Sequence, residues 1–303
     1  MKRTRIHRIK LFSISFGVSV VVLSLIFIPI MLELSPLHDN YFSTSSVAES
    51  VDQDIYTPVE KDAMTSLIIV TDGGSGRYFM LIRFDPINER IPVCSLPYTM
   101  QVVTSERTDT LAGFDAYGGT LMVREILQSA LKITIDRTAR LSTDDFVKAV
   151  NTLGTVKYTL PYSLIYKDTG TDTYINVPKG TQTLDGRAVY DMFRFPQYAE
   201  GEEHRYKVQS DLLAKLINER LNDWLIQHGD SVFNTIVNLA DTDISYNDYQ
   251  QRLAALRRFA EREEGASIPI FPGGRYDTQS FTLSQQSADT LRMYFVGEQQ
   301  SAI

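Results

Sequence analysis

The 303-residue chain holds a single cysteine, Cys94, so no intrachain disulfide can form. A disulfide-free domain of this size must rely on its apolar core. Inside IPVCSLP the thiol reads as a small buried hydrophobe. Histidine is also scarce: His7, His38, His204 and His228 show no metal-ligand spacing. No G-x-S-x-G elbow is present, so the sequence offers no serine-nucleophile motif. Asp72-Gly-Gly-Ser-Gly-Arg77 has neither the spacing of a P-loop nor that of G-x-G-x-x-G, and a strand pattern follows it instead of a helix. A generic turn remains open beside a phosphate cradle there. No internal repeat is visible, which argues against solenoids and propellers.

Charge is absent from Leu11 to Leu32, a run of 22 residues dominated by Phe, Ile, Val and Leu. That length spans a bilayer core as a helix. Lys2, Arg3, Arg5, Arg8 and Lys10 precede it with no acid among them. The positive-inside tendency then places residues 1–10 in the cytoplasm, 11–32 across the plasma membrane as a single pass, and the rest outside. A cleaved signal peptide is the competing reading, but the apolar run is long for one. Residues 33–64 are rich in Ser, Asp, Glu, Thr and Pro and read as an extracytoplasmic linker. The domain expectation is 65–303. Without the five tail cations, 25 basic residues stand against 37 acidic ones, a formal −12. Such a domain lacks the basic face that nucleic acid requires.

Along that domain, Leu67–Val70 predicts a buried strand ended by the glycine-rich turn. Two strands follow at 78–85 and 90–96. Helices are expected at 120–131, 144–153, 203–227, 232–239 and 246–264, and later strands at 156–160, 268–271 and 280–283. Strands and helices alternate, which predicts an α/β fold with its sheet covered on both faces. The tyrosine-rich stretch 162–174 reads as loop and edge strand, and its rings as packing more than as a sugar platform.

Gly180–Gln209 is the chemically suggestive stretch. A turn leads into Leu184-Asp185-Gly186, an apolar run ends at Arg194, and Arg205 and Gln209 open a helical pattern after a polar loop. Two arginines and an amide around a loop suit an anion. The plainer reading is that the arginines are solvated or paired with Glu202 and Glu203.

Order and spacing add a resemblance. LIIVTDG with Asp72, FDPINERIPVCSLP, DAYGG, DDFVKAVNTLG, GTQTLDGRAVYDMFRF, EEHRYKVQSDLLAKLIN and LADTDISYNDYQQRL follow one another from about Ser66 to Gly274. In this the chain resembles the LytR-CpsA-Psr family of bacterial cell-envelope proteins. The resemblance implies a three-layer α/β/α sandwich with a central mixed sheet. It also implies transfer of a polyprenyl-pyrophosphate-linked glycopolymer, a teichoic acid or polysaccharide, to peptidoglycan in the cell wall. The pyrophosphate would sit among arginines with Mg²⁺ held by aspartates, and the lipid tail in an apolar tunnel. Carried over by position, Asp72 matches the family's first aspartate and would be catalytic and metal-binding. Arg194 and Arg205 would be catalytic and bind substrate, and Gln209 would bind substrate. Arg77 is a further substrate-binding candidate.

The chain departs from the family at several positions. The R-S-D-T turn is Gly76-Arg77-Tyr78, and P-R-D-T is Pro97-Tyr98-Thr99-Met100. The second arginine of R-x-R is Pro196, and the arginine before the glutamine is Val208. These replacements weigh against Mg²⁺. Arg77, Arg124, Asp109 and Asp115 are the candidates to substitute. Two functions therefore stay open: a phosphotransferase-type glycopolymer ligase of reduced activity, and a non-catalytic scaffold or regulatory protein that binds polyprenyl phosphate or glycan.

Overall fold

The structure is a computed structural model that describes residues 56–171, 173–277 and 279–296. The expected membrane segment at 11–32 and most of the expected linker lie outside the described residues. Among the described residues no helix is long and apolar enough to cross a membrane. The folded unit takes in Tyr56 onward. Tyr56 donates its hydroxyl to Asp62 at 2.7 Å, and Glu60–Asp62 form a 3-10 turn.

In chain order, β1 (Met64–Asp72) and β2 (Ser75–Phe84) form a hairpin. Gly73 and Gly74, at φ +58° and +86°, make its two-residue turn, which needs left-handed backbone at both positions. The turn from β2 to β3 (Ile91–Leu96) is organised by Asp85, which accepts from the Asn88 amide N–H and from Arg90 Nε, both at 3.2 Å. β4 (Gln101–Val103) and β5 (Thr108–Thr110) are a short hairpin. Then come α1 (Leu111–Leu131), β6 (Arg137–Ser142) and α2 (Thr143–Leu153). β7 (Val156–Leu160) pairs with β10 (Gly180–Leu184), while β8 (Leu164–Asp168) pairs with β9 (Thr173–Val177). α3 (Gly186–Arg194), α4 (Glu202–Arg220) and α5 (Asp223–Val237) follow. The chain continues through β11 (Asp241–Thr242), α6 (Tyr246–Ala260) and β12 (Ser267–Ile270). β13 (Gly274–Tyr276), β14 (Phe281–Leu283) and α7 (Gln285–Phe295) complete the described chain.

The central sheet runs β11-β6-β1-β2-β3-β12. β1–β6 and β3–β12 are parallel and the other pairings antiparallel, so the sheet is mixed, as expected. Side chains alternate between its faces. Val70, Met80 and Val93 point into a core shared with α2, α3 and α4. Leu67, Ile69, Phe79, Leu81 and Cys94 point into a second core with α1 and α7. Cys94 is wholly buried, and burial pushes its thiol far up from the usual cysteine range.

Several boundaries differ from the sequence expectation. The helix expected at 120–131 begins at Leu111, where Thr110 Oγ1 accepts from the Gly113 amide at 3.0 Å. Gly119, at φ +64°, breaks it, so the expected helix is its second half. The single helix expected at 203–227 is two, because Asn222 takes extended backbone and its side chain accepts from the Trp224 amide at 3.0 Å. An asparagine that caps a new helix competes with continuation of the old one. The helix expected at 232–239 is the second half of α5.

Candidate functional site

Five residues singled out from sequence, Asp72, Arg77, Arg194, Arg205 and Gln209, line one polar cavity of about 260 Å³. Asp72 sits at the last position of β1, beyond a register shift between Val70 and Thr71. Arg77 follows on β2. Arg194 closes α3, and Arg205 and Gln209 stand one turn apart on α4.

The two walls differ in how far their side chains are committed. Gln209 is fully buried, its Nε2 donates to the Phe193 carbonyl at 2.9 Å, and its Oε1 accepts from Ser95 Oγ at 2.5 Å. Ser210 Oγ accepts from the neighbouring Ser95 amide at 2.9 Å, so α4 is pinned to β3 by adjacent polar contacts. Gln209 is therefore a strut as well as a lining residue. Arg205 donates from Nε to the Phe195 carbonyl at 3.0 Å and from Nη2 to Glu202 at 2.8 Å. Arg194 donates from Nε to Asp191 at 2.9 Å, and its guanidinium stands 5.2 Å from the Tyr190 ring centre. The salt-bridge reading thus holds for Arg205 and Glu202, whereas Glu203 pairs with Lys207 and Arg194 with Asp191.

Across the cavity, the Asp72 carboxylate has no hydrogen-bond or ion-pair partner among the described residues. Arg77 has no ion pair there either; its guanidinium lies 3.7 Å from the Tyr98 ring centre. The other substitutes named from sequence lie elsewhere. Arg124 pairs with Asp243, and Asp109 with Arg107. Asp115 is buried behind the β1–β2 turn, where it accepts from the Gly76 amide at 2.7 Å and from Arg140 at 2.5 and 3.1 Å. Arg140 also donates to the Gly74 carbonyl at 2.9 Å, so this pair clamps the turn. A Cβ at Gly76 would stand 2.8 Å from the Asp115 carboxylate, which leaves only glycine room there.

Sequence reading missed the tyrosines. Tyr78, Tyr98, Tyr166, Tyr190 and Tyr206 line the cavity, as does Asp168 at the end of β8. For Tyr166, Tyr190 and Tyr206 the density of tyrosine in 158–206 was the available signal. Burial raises the hydroxyls of Tyr78, Tyr190 and Tyr206 from the usual tyrosine range, so they remain protonated donors at neutral pH. The amide of Gly170, followed by the Thr171 hydroxyl, holds Asp168 below the usual carboxylate range. Both its oxygens are used inside its own turn.

No group of three or more His, Cys, Asp or Glu side chains capable of holding a metal occurs among the described residues. With Asp72 the one uncommitted carboxylate among the described residues that line the cavity, the donor set does not fit a protein-built Mg²⁺ site.

Beside the polar cavity lies an apolar chamber of about 390 Å³. Its floor is the sheet face of Ile68, Met80 and Ile82, and α2, α4, α5 and α6 wall it. α5 presents Leu225, Ile226, Gly229, Val232, Phe233, Ile236 and Val237 to it, all on one helical face. Phe193 lines the polar cavity and Phe146 the chamber, and their ring centres are 5.3 Å apart.

A family model, the LytR_cpsA_psr family, matches residues 50–295. This chain belongs to the LytR_cpsA_psr family. Among curated relatives, an uncharacterized protein of Staphylococcus aureus strain NCTC 8325 is 24% identical over 152 residues, 50% of this chain and 36% of that protein. The match thus spans about a third of that relative's length. The polyisoprenyl-teichoic acid–peptidoglycan teichoic acid transferase TagU of Bacillus subtilis strain 168 is 23% identical over 244 residues, 75% of this chain and 78% of TagU. A solved structure titled a putative transcription regulator from Eubacterium siraeum superposes with a TM-score of 0.73 at 17% identity, covering 83% of this chain and 98% of that one. TagT bound to LIIa-WTA superposes at 0.57 with 19% identity, covering 78% and 90%. At these identities the solved structures show a shared fold alone. At family level the function is cell-wall glycopolymer transfer.

Proposed function

We propose that this LytR_cpsA_psr member binds the polyprenyl-pyrophosphate end of a lipid-linked cell-wall glycopolymer, on the outer face of the plasma membrane, with residues 11–32 as its anchor. The observation that carries the reading is adjacency. A cavity walled by Arg77, Arg194 and Arg205 lies against a 390 Å³ apolar chamber, with one aromatic contact between them. That pairing suits an amphiphile with an anionic head and a hydrocarbon tail. Guanidinium forks match phosphate oxygens, and the protonated tyrosines add neutral donors. A hydrocarbon tail laid against this lining removes apolar surface from water, at about 25 cal/mol per Å² covered.

Binding comes before transfer in this reading because Arg194, Arg205 and Gln209 are committed to neighbouring groups in the fold. Arg77 favours a second reading, transfer of the polymer to peptidoglycan, since its guanidinium, stacked on Tyr98 with no ion pair among the described residues, can offset charge on a leaving phosphate. The full chain, with lipid-linked polymer and peptidoglycan, separates the two. Co-purification or saturable binding of the lipid-linked polymer, lost in Arg194→Ala/Arg205→Ala, supports the first. Polymer attachment with release of polyprenyl phosphate supports the second. Absence of any binding to the carrier overturns both.

A further inference from the structure

Resting on that carrier reading, we infer that Tyr98 is a positioning residue: its ring is the platform that holds Arg77 at the cavity wall with its charge left whole for the pyrophosphate. The register of the sheet brings the two together. β2 and β3 are antiparallel, with Phe79 opposite Leu96. Continued from that pair, the same register sets Arg77 opposite Tyr98, and cross-strand neighbours on one face lie within side-chain reach. The Arg77 guanidinium stands 3.7 Å from the Tyr98 ring centre, a stacking distance for a planar cation over an aromatic face. Both residues line the polar cavity.

The platform is fixed from behind. The Tyr98 carbonyl accepts from the Ala112 amide at 3.0 Å, the Thr99 carbonyl from the Phe281 amide at 2.9 Å, and the Met100 carbonyl from the Leu111 amide at 3.0 Å. α1 and β14 thus hold the turn 97–100, and the Tyr98 side chain packs against the second core. Arg77, by contrast, is exposed, a long side chain with much rotamer freedom to lose when it meets a ligand. Arg194 and Arg205 are held by carboxylates, those of Asp191 and Glu202, which offset part of their charge. A ring face also attracts and orients a guanidinium, but it brings no opposing charge. Arg77 is therefore the cavity arginine that is held in place without being neutralised, and such preorganisation lowers the cost of binding. The rewritten stretch acquires a role. Tyr98 stands where the family pattern has an arginine, and here that position seats a cation supplied by the facing strand.

The test is equilibrium binding of farnesyl pyrophosphate to the full chain held in lipid nanodiscs, with partition into empty discs subtracted. Tyr98→Leu keeps an apolar side chain but has no ring face, and affinity should fall about threefold to fivefold. Tyr98→Phe keeps the face and loses the hydroxyl, and should stay within about twofold of wild type. In an Arg77→Ala background, Tyr98→Leu should cost less than about twofold, because the cation that the ring positions is gone. Arg77→Lys keeps the charge and gives up the planar face, and should lose about threefold.

Wild-type affinity in Tyr98→Leu would mean that the ring only fills space. A loss in Tyr98→Phe as large as in Tyr98→Leu would mean that the hydroxyl itself meets the ligand. An undiminished effect of Tyr98→Leu without Arg77 would mean that the ring acts on the ligand directly. Each of these overturns the platform and leaves the carrier reading standing, whereas no binding by the wild type overturns the carrier reading and the platform with it. Thermal melts show whether the Tyr98 variants fold. If Tyr98→Leu does not, Tyr98→Phe and Arg77→Lys decide, and wild-type affinity in Arg77→Lys overturns the inference.

Discussion

The helical wall of the polar cavity and its hairpin wall invert what their sequences announce. On the helical wall, Arg194, Arg205 and Gln209 stand where the family pattern places a pyrophosphate site. In the structure they are engaged by Asp191, Glu202, the Phe195 and Phe193 carbonyls and Ser95. On the hairpin wall the family pattern is rewritten, yet Asp72 and Arg77 are the charges left uncommitted. Resemblance names residues that the fold brings to one cavity. Hydrogen-bond accounting separates residues that build it from residues free to meet a ligand.

The sharpest way to break this contrast is Asp115→Ala. It leaves Arg140 and the Gly76 amide without their buried acceptor, a loss expected to cost about 3–5 kcal/mol. For a domain of this size that lowers Tm by roughly 10 °C or more, measurable by circular dichroism. An unchanged Tm would mean that the hairpin wall is not clamped from behind. Gln209→Leu comes next. Removing the contacts to Ser95 and Phe193 should cost about 2–3 kcal/mol in denaturant unfolding. If it lost pyrophosphate binding at full stability, Gln209 would belong with the ligand groups.

Arg77→Ala should do the opposite. Stability should move by less than about 0.5 kcal/mol, while affinity for farnesyl pyrophosphate falls on the order of tenfold. Titration calorimetry beside a melt reads both. The smallest effect is expected from chelation. Excess EDTA should change that affinity by less than about twofold, because the arginine wall rather than a bridging divalent ion meets the phosphates in this reading. A tenfold loss would restore a metal to the site.

Much of the fold was legible because its strongest signals are local. Leu67–Val70 is apolar at every position since β1 is central and covered on both faces. The paired glycines 73 and 74 announced a hairpin. β6 was missed because RTARLS carries two arginines, which serve the buried Asp115 and Asp248 from a strand that otherwise alternates. The start of α1 was missed because Thr110 caps a segment whose glycines, 113, 118 and 119, lower helix propensity. At the site, charge and spacing located Arg194, Arg205 and Gln209, but partner choice is tertiary. Ser95 lies more than a hundred residues from Gln209 in sequence. The tyrosines looked like packing, and Tyr78 and Tyr190 are indeed packed, with rings 6.1 Å apart, while also facing the cavity.

Cys94 has a practical corollary. Its sulfur is enclosed in the middle of the central sheet, inaccessible and held protonated. A thiolate reagent can reach it only when the sheet itself comes apart. With no second cysteine to compete, the pace of alkylation under native conditions is a clock for whole-domain opening. A bound carrier should slow that clock by the free energy of its binding.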